Sequence, residues 1–215
     1  MDSRRLESFS DGVFAVAITV LVFNLLTIGA KGPGLSFRLL LGDAWPQYFA
    51  YVVGFLSIGI MWLNHHTLVL HVAAVDRATL VLNIFLLMTV VAVPFPTALV
   101  AEHLRNSGAA DAVVSYGVVM ILLSISYASL WSYVLTHQKA LAATGSSGVR
   151  FIMVLRFSGG LFGYIAGTLI AAFWSPIAGL VIFGLLAVYY LFEHLPRPAG
   201  DSPDPDAGLD GAVTG

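Results

Sequence analysis

Polar residues stand at the start of the first long apolar run of the chain, in the stretch RLESFSDGVF. Ser10 and Asp11 lie where that run begins, and a carboxylate in hydrocarbon costs about 2.5–3.5 kcal/mol on insertion scales. Either side chain can cap a helix, because each accepts hydrogen bonds from free backbone N–H groups, and the helix dipole favours the negative charge. Helix capping and a buried polar contact are therefore both open for this pair.

A second polar group lies further along the chain, in the stretch WLNHH. On a helix that turns by about 100° per residue, Trp62, His65 and His66 fall within one arc of about 100°, whereas Asn64 points elsewhere. Polar side chains on one face of a membrane helix are expected to face protein rather than lipid. The arc therefore predicts a contact with another helix.

The two polar groups are expected at similar depth, since the first helix starts at the side of the membrane where the second helix ends. We predict a polar clamp between the two helices, in which Ser10 or Asp11 hydrogen-bonds to His65 or His66. A metal site is not predicted, because adjacent histidines diverge by about 100° and the zinc-binding i, i+4 spacing is missing.

A third feature is a row of residues on the first helix. Val16, Thr19 and Phe23 have the spacing i, i+3, i+7 and share a stripe within about 60°, whereas Asp11 lies about 140° from Val16. The acid and the stripe therefore occupy different faces. From spacing alone, the stripe is typical of a surface that packs against a neighbouring helix or lipid.

Several kinds of chemistry find no support in the sequence. The chain has no cysteine, which excludes disulfides and thiolate sites, and it contains neither a G-x-S-x-G nor an H-E-x-x-H motif. Its basic residues are scattered rather than clustered, so nucleic-acid binding is not predicted. We predict that the protein is not an enzyme and carries no cofactor.

The composition predicts a membrane protein. Of the 215 residues, 58% are hydrophobic and only 10% are charged, against about 25% charged in ordinary soluble domains. Spanning a bilayer takes about 20 apolar residues in a helix. We therefore predict an all-α polytopic membrane protein with six transmembrane helices, at residues 9–28, 45–70, 80–101, 113–135, 151–174 and 177–192. The first run is too long for a signal peptide and lacks an A-x-A site, so it is read as a retained helix.

The distribution of basic residues predicts the orientation. With both termini inside, the inner segments hold six of the basic residues and the outer loops hold three, Lys31, Arg38 and Arg105. Pro94 and Pro96 are expected to kink the third helix. Residues 1–195 form the predicted six-helix unit, and the acidic, Pro- and Gly-rich residues 196–215 are predicted to be a disordered cytoplasmic tail.

The polar motif resembles that of a known family. Arg5, Phe9, Ser10 and Asp11 match the R-x-x-x-F-S-D signature of the transmembrane protein 175 potassium channels, found in bacteria and in lysosomes. The continuation GVFAVAITVLV is similar to the family's first helix, and Trp62 with the histidines that follow it is similar to its second. Six helices with both ends inside fit its bacterial members.

The resemblance implies a potassium-permeable channel in the bacterial inner membrane, a homotetramer with the first helices around a central pore. It places an apolar constriction at Val16, a hydroxyl layer at Thr19 and a second apolar ring at Phe23. Val16 is smaller than the isoleucine or leucine expected there. The residues implied to form a polar network that orients the first helix are Arg5, Phe9, Ser10, Asp11, Trp62, His65 and His66.

Three functional interpretations stay open. A channel is favoured, because the inverted repeats and broken mid-membrane helices of secondary transporters are at best faint here. A transporter of a small solute or ion is the main alternative, and a non-conducting scaffold is the third. Since histidine titrates near neutral pH, a clamp that contains His65 or His66 is a further hypothesis for proton-sensitive opening.

Overall fold

The computed structural model of the chain describes residues 3–29, 44–70, 75–137 and 147–192, together with positions 42 and 72. The long elements in this part of the chain are all helices, as predicted. They are α1 (Ser3–Val20), α2 (Phe23–Gly29), α3 (Trp45–Leu70), α4 (Arg77–Ala92), α5 (Pro94–His103), α6 (Ala109–His137), α7 (Ser147–Phe173) and α8 (Pro176–Phe192). The predicted tail at 196–215 lies outside the described residues.

The eight helical segments make six helical passages, because α1 with α2 and α4 with α5 each form one interrupted helix. Within the described residues, four passages are long and apolar enough to cross a membrane: Ser3–Leu26, Trp45–Leu70, Arg77–His103 and Ala109–His137. The last two passages contribute the shorter apolar segments Gly159–Phe173 and Pro176–Leu191. The second passage has the bounds that its sequence predicts.

The first passage is interrupted at Leu21 and Val22, where the sequence predicts one continuous helix. The backbone N–H groups of Leu21 and Val22 bond to carbonyls only three residues back, at 3.3 and 3.2 Å. Such i→i−3 bonds tighten the helix locally. The interruption follows a run of β-branched residues, Ile18, Thr19 and Val20, whose restricted side chains lower helix propensity.

The third passage is interrupted at Val93, immediately before Pro94, where the prolines predict a kink. Proline lacks the backbone N–H that continues a helix. The Val93 N–H bonds to the carbonyl of Val90 at 3.1 Å, and the Val93 carbonyl accepts both the backbone N–H and the hydroxyl of Thr97. These bonds keep the two halves of the passage connected.

The last two passages pack closely through glycines. A methyl group placed on Gly163 would lie 2.8 Å from Leu186, and one on Gly167 would lie 2.6 Å from Phe183. In lipid, small residues allow such backbone approach, and packing contacts then hold the helices together. The buried core runs on from Phe183 through α6 to α3, α4 and α1, and its largest side chains include Trp131, Phe14, Ile58, Leu86 and Met120.

Candidate functional site

Helix α1 has two unlike faces, and the candidate site lies on both. Its buried residues are Leu6, Ser10, Phe14 and Ala17, which recur every three or four positions as one stripe of a helix does. This stripe packs against α3 and α4. The predicted row Val16, Thr19 and Phe23 lies on exposed surface instead: the exposed fractions of Val16 and Phe23 are 58% and 61%.

A buried series of hydrogen bonds joins α1 to α4 and α4 to α3. The Ser10 hydroxyl donates to the Leu6 carbonyl at 2.9 Å, and the Asn83 amide of α4 donates to the Ser10 oxygen at 3.0 Å. The Asn83 amide oxygen lies 2.8 Å from His65 Nε2 of α3. Since an amide oxygen only accepts, His65 carries its proton on Nε2. Its Nδ1 is buried and has no hydrogen-bond partner among the residues that the structure describes.

A second set of contacts lies at the rim of the same helix junction. Trp62 Nε1 donates to Asp11 Oδ1 at 2.8 Å, and His66 Nδ1 lies 3.0 Å from Glu7 Oε1. The rings of Trp62 and His66 stack with centroids 6.1 Å apart. These side chains are only partly covered: Trp62 is 38% exposed, and the side chain of His66 is 45% exposed. Among the described residues, these contacts join α1 to α3.

The partners differ in detail from the predicted clamp. Neither Ser10 nor Asp11 bonds directly to a histidine, because Asn83 stands between Ser10 and His65, while Asp11 pairs with Trp62. The Asn83 amide bridges Ser10 and His65, because it has a donor for the Ser10 oxygen on one side and an acceptor for His65 Nε2 on the other.

Two residues of the predicted network lie outside these contacts. Phe9 is 59% exposed, and Arg5 is also exposed and makes no hydrogen bond or salt bridge with any other residue that the structure describes. Conversely, sequence reasoning missed Asn83 and Glu7. Asn83 is the single amide in the apolar stretch LVLNIFLLM, and Glu7 stands one helical turn before Asp11. An isolated polar residue in an apolar run was the available signal for Asn83.

The hydroxyl of Thr19 has a defined role in hydrogen bonding. Its Oγ1 donates to the Val16 carbonyl at 2.8 Å, which uses its only hydrogen. The exposed oxygen can therefore only accept further contacts, as a cation requires and an anion does not. Across the part of the chain that the structure describes, no group of three His, Asp or Glu side chains is placed to hold a metal.

Comparison with known proteins gives consistent matches. The family model described as endosomal/lysosomal potassium channel TMEM175 matches residues 5–94, which include nearly all of α1 and the whole of α3 and α4. A potassium channel of Streptomyces collinus is 42% identical over 205 residues, covering 95% of this chain and 98% of the relative. The endosomal/lysosomal proton channel TMEM175 of Gallus gallus is 30% identical over 148 residues, covering 65% of this chain and 29% of the relative.

A solved structure is similar over nearly its full length. The crystal structure of a lysosomal potassium-selective channel TMEM175 homolog from Chamaesiphon minutus superposes with a TM-score of 0.74 at 32% sequence identity. The match covers 88% of this chain and 96% of that chain. The arrangement of six helical passages is thus shared with an experimental structure.

Proposed function

Because the chain belongs to the TMEM175 family of potassium channels, we propose that it forms a potassium-permeable pore at the centre of a homotetramer in the cell membrane. Conduction is passive, and the first helix of each subunit lines the pore. The main support for this proposal is that the first helical passage has two different faces. Val16 and Phe23 are exposed on one face, and Ser10 and Phe14 are buried on the other.

The rotation of α1 about its own axis is the first requirement of this proposal. A helix held only by apolar packing in lipid has little to fix its rotation, because lipid tails are as apolar as leucine. The bonds from Ser10 to Asn83 and from Asp11 to Trp62 fix α1 at two points on its inward side. The stripe of Val16, Thr19 and Phe23 is thereby held toward the proposed axis.

The charge of Asp11 belongs to this support rather than to the pore. Its Oδ1 accepts from the indole N–H of Trp62, a charge-assisted bond that is about twice as strong as a neutral one. A carboxylate held in this way is a fixed acceptor, which answers why an acid stands at the start of an apolar helix. We assign Asp11 a positioning role.

Selection and gating follow from the residues on the stripe. Rings of Val16 and Phe23 around a symmetry axis would form apolar constrictions, which close a pore by dewetting and make an ion's dehydration the barrier to passage. A ring of Thr19 oxygens between them would offer acceptors to a partly dehydrated cation, since each hydroxyl hydrogen is held by the Val16 carbonyl. The small Val16 leaves Phe23 as the bulkier ring.

The remaining sequence predictions complete the proposal. The excess of basic residues in the proposed inner segments supports both termini inside, with residues 1–195 as the channel unit and 196–215 as a cytoplasmic tail. No resident cofactor is proposed. A secondary transporter stays the alternative, and it differs in one observable: a transporter coupled to a second gradient moves its solute uphill, whereas a channel does not.

The test is flux of potassium and sodium through purified protein in liposomes at acid and neutral pH. We expect downhill potassium flux above sodium flux, with leak or discrimination changed in a Val16→Ala, Phe23→Ala double variant. The matched control is Val118→Ala, Phe162→Ala, which removes the same side chains from exposed positions on α6 and α7. Equal effects of the two double variants would contradict the pore stripe.

A third variant tests the hydroxyl layer. Thr19→Val keeps the shape of the side chain and removes its oxygen, so we expect the preference for potassium over sodium to fall while the pore still conducts. Uphill transport driven by a second ion gradient would favour the transporter, and no flux in any variant at any pH would favour the scaffold.

A further inference from the structure

A cavity lies on the far side of α3 from the polar network. It has a volume of about 70 Å³, is partly open, and is lined by four helices, α3, α6, α7 and α8. Asn64 lines it, on the face of α3 opposite to Trp62 and His65. The cavity is therefore separate from the proposed pore stripe and from the contacts that position α1.

Two polar side chains of this cavity are left without hydrogen bonds. Tyr164 is only 7% exposed, and its hydroxyl has no hydrogen-bond partner among the described residues. The amide of Asn64 likewise makes none within the described part of the chain. By contrast, Ser57 pairs with the Tyr116 hydroxyl at 3.1 Å, and the Ser124 hydroxyl donates to the Met120 carbonyl at 2.8 Å.

The position of the Tyr164 hydroxyl is fixed by packing. Its ring lies 5.7 Å from the ring of Phe183, centroid to centroid, so the hydroxyl cannot easily swing to another partner. A buried polar group without a partner is unfavourable, and most buried polar groups in proteins have a hydrogen-bond partner. The cavity thus offers one hydrogen-bonding group fixed by packing, the Tyr164 hydroxyl, and a second unused one, the Asn64 amide.

The walls around these groups are mainly apolar, with Ile60, Leu123 and Ala187 among them, and none of the described lining residues is charged. Ligand sites typically combine such walls with a few placed polar groups. An ion finds no counter-charge here. A lipid acyl chain would cover the walls but leave Tyr164 and Asn64 unsatisfied, because it carries no polar group along its length.

We propose that this cavity is a binding site for a small neutral alcohol or phenol. The hydroxyl of such a molecule would pair with Tyr164 and Asn64, and its apolar body would cover Leu123 and Ala187. The volume is about half that of the engineered cavity of about 150 Å³ that takes benzene. The occupant is therefore no larger than one ring, seated in a cavity that is partly open.

The probe is 4-fluorophenol, followed by fluorine NMR with the protein in lipid nanodiscs and with empty nanodiscs to subtract partition into lipid. We expect saturable binding that Ala187→Leu abolishes by filling the space. Tyr164→Phe is expected to weaken 4-fluorophenol about three- to tenfold, the loss of one hydrogen bond. The same variant should leave fluorobenzene, which lacks the hydroxyl, unchanged.

The matched control is Tyr51→Phe, which removes a tyrosine hydroxyl from α3 outside the cavity and should leave binding unchanged. If Ala187→Leu does not fold, Ser124→Leu fills the cavity from α6. Uptake that rises linearly with concentration and is equal in all variants would overturn the proposal, as would water as the only occupant. Binding of 4-fluorophenol is measured without ion conduction, so its result is independent of whether the protein is a channel.

Discussion

The two sets of bonds that hold α1 differ in depth and in what their loss should do. Ser10, Asn83 and His65 are each at most 1% exposed and connect three helices. The rim contacts of Asp11 and Glu7 involve partners that are more than one-third exposed. A buried group that loses its partner has no water to replace it, whereas a rim group does. The buried set should therefore dominate stability.

The largest effect is expected from Asn83→Leu. The change removes both the donor to Ser10 and the acceptor from His65, so two buried polar groups lose a partner at once. We expect a loss of about 1–3 kcal/mol in unfolding free energy, which reflects unpaired buried groups and the modest strength of hydrogen bonds between membrane helices. The measurement is reversible unfolding of the protein in lipid bicelles.

The control is the same substitution on α3, at a position that faces away from the polar network. Asn64→Leu removes an amide that has no hydrogen bond to the described residues, so it should be neutral or slightly stabilising. If Asn83→Leu and Asn64→Leu lowered the free energy of unfolding by similar amounts, the larger contribution expected from the buried hydrogen bonds would be contradicted.

A smaller effect is expected when the Trp62–Asp11 bond is removed. Trp62→Phe retains a large ring and deletes the indole N–H, leaving a carboxylate that water can reach at the rim. We expect a loss of about 1 kcal/mol, typical of one hydrogen bond. The functional readout is more sensitive, since potassium flux should fall if α1 can rotate. Asp11→Asn with unaltered assembly and flux would contradict the positioning role of the carboxylate.

The faces of α3 could be predicted from the sequence. Helical periodicity places Trp62, His65 and His66 on one face and Asn64 on another, and the contacts of the four side chains follow that division. Periodicity belongs to a single helix, so a pattern on α3 gives its faces directly. The bounds of α3 follow from the same apolar run, which has clear limits at both ends.

The position of Asn83 between Ser10 and His65 could not be predicted from the sequence. It depends on how far α4 is rotated about its axis and on its depth relative to α1, and both are decided by packing of three helices rather than by the spacing within one. The interruption at Leu21 was missed for a related reason. Helix propensities differ by less than 1 kcal/mol per residue for Ile, Thr and Val, so tertiary contacts decide where a helix is tightened.

A third polar contact is centred on Asp76, an exposed residue that lies just before the third membrane-spanning passage. Asp76 caps α4, accepting from the backbone N–H of Thr79 at 2.8 Å and from its hydroxyl at 2.7 Å, and the Tyr133 hydroxyl of α6 donates to its other oxygen. The bond from Tyr133, with those from Thr79, lowers the pKa of Asp76 from 3.8 to about 2. The ionised form is the one that the fold favours.

The sign of the pH effect follows from that lowered pKa. The stability that Asp76 contributes is fully present above the unfolded pKa of 3.8 and is lost as the pH falls toward about 2. We expect Asp76→Asn to melt a few degrees below the parent protein at pH 6, and the difference to shrink as the pH falls from 4 to 2. A difference that stays constant over this range would show that the charge is irrelevant.

The smallest effect is expected for the pair of Glu7 and His66. Its nitrogen and oxygen lie 3.0 Å apart, but the two side chains are 27% and 45% exposed, and exposed ion pairs contribute about 0–1 kcal/mol. A double-mutant cycle with Glu7→Gln and His66→Gln, measured by unfolding in bicelles, should therefore give a coupling of about 0.5 kcal/mol.

The same pair separates the two histidines as sources of proton sensitivity. His65 is buried and bonded to Asn83, whereas the side chain of His66 is 45% exposed at the rim and makes no contact with the buried residues Ser10 and Asn83. We therefore expect any pH dependence of potassium flux between pH 5 and 8 to be reduced in His66→Ala. His65→Ala should instead lower flux at every pH, because it weakens the support of α1. A pH profile unaltered by either variant would exclude this junction as a proton sensor while leaving its positioning role intact.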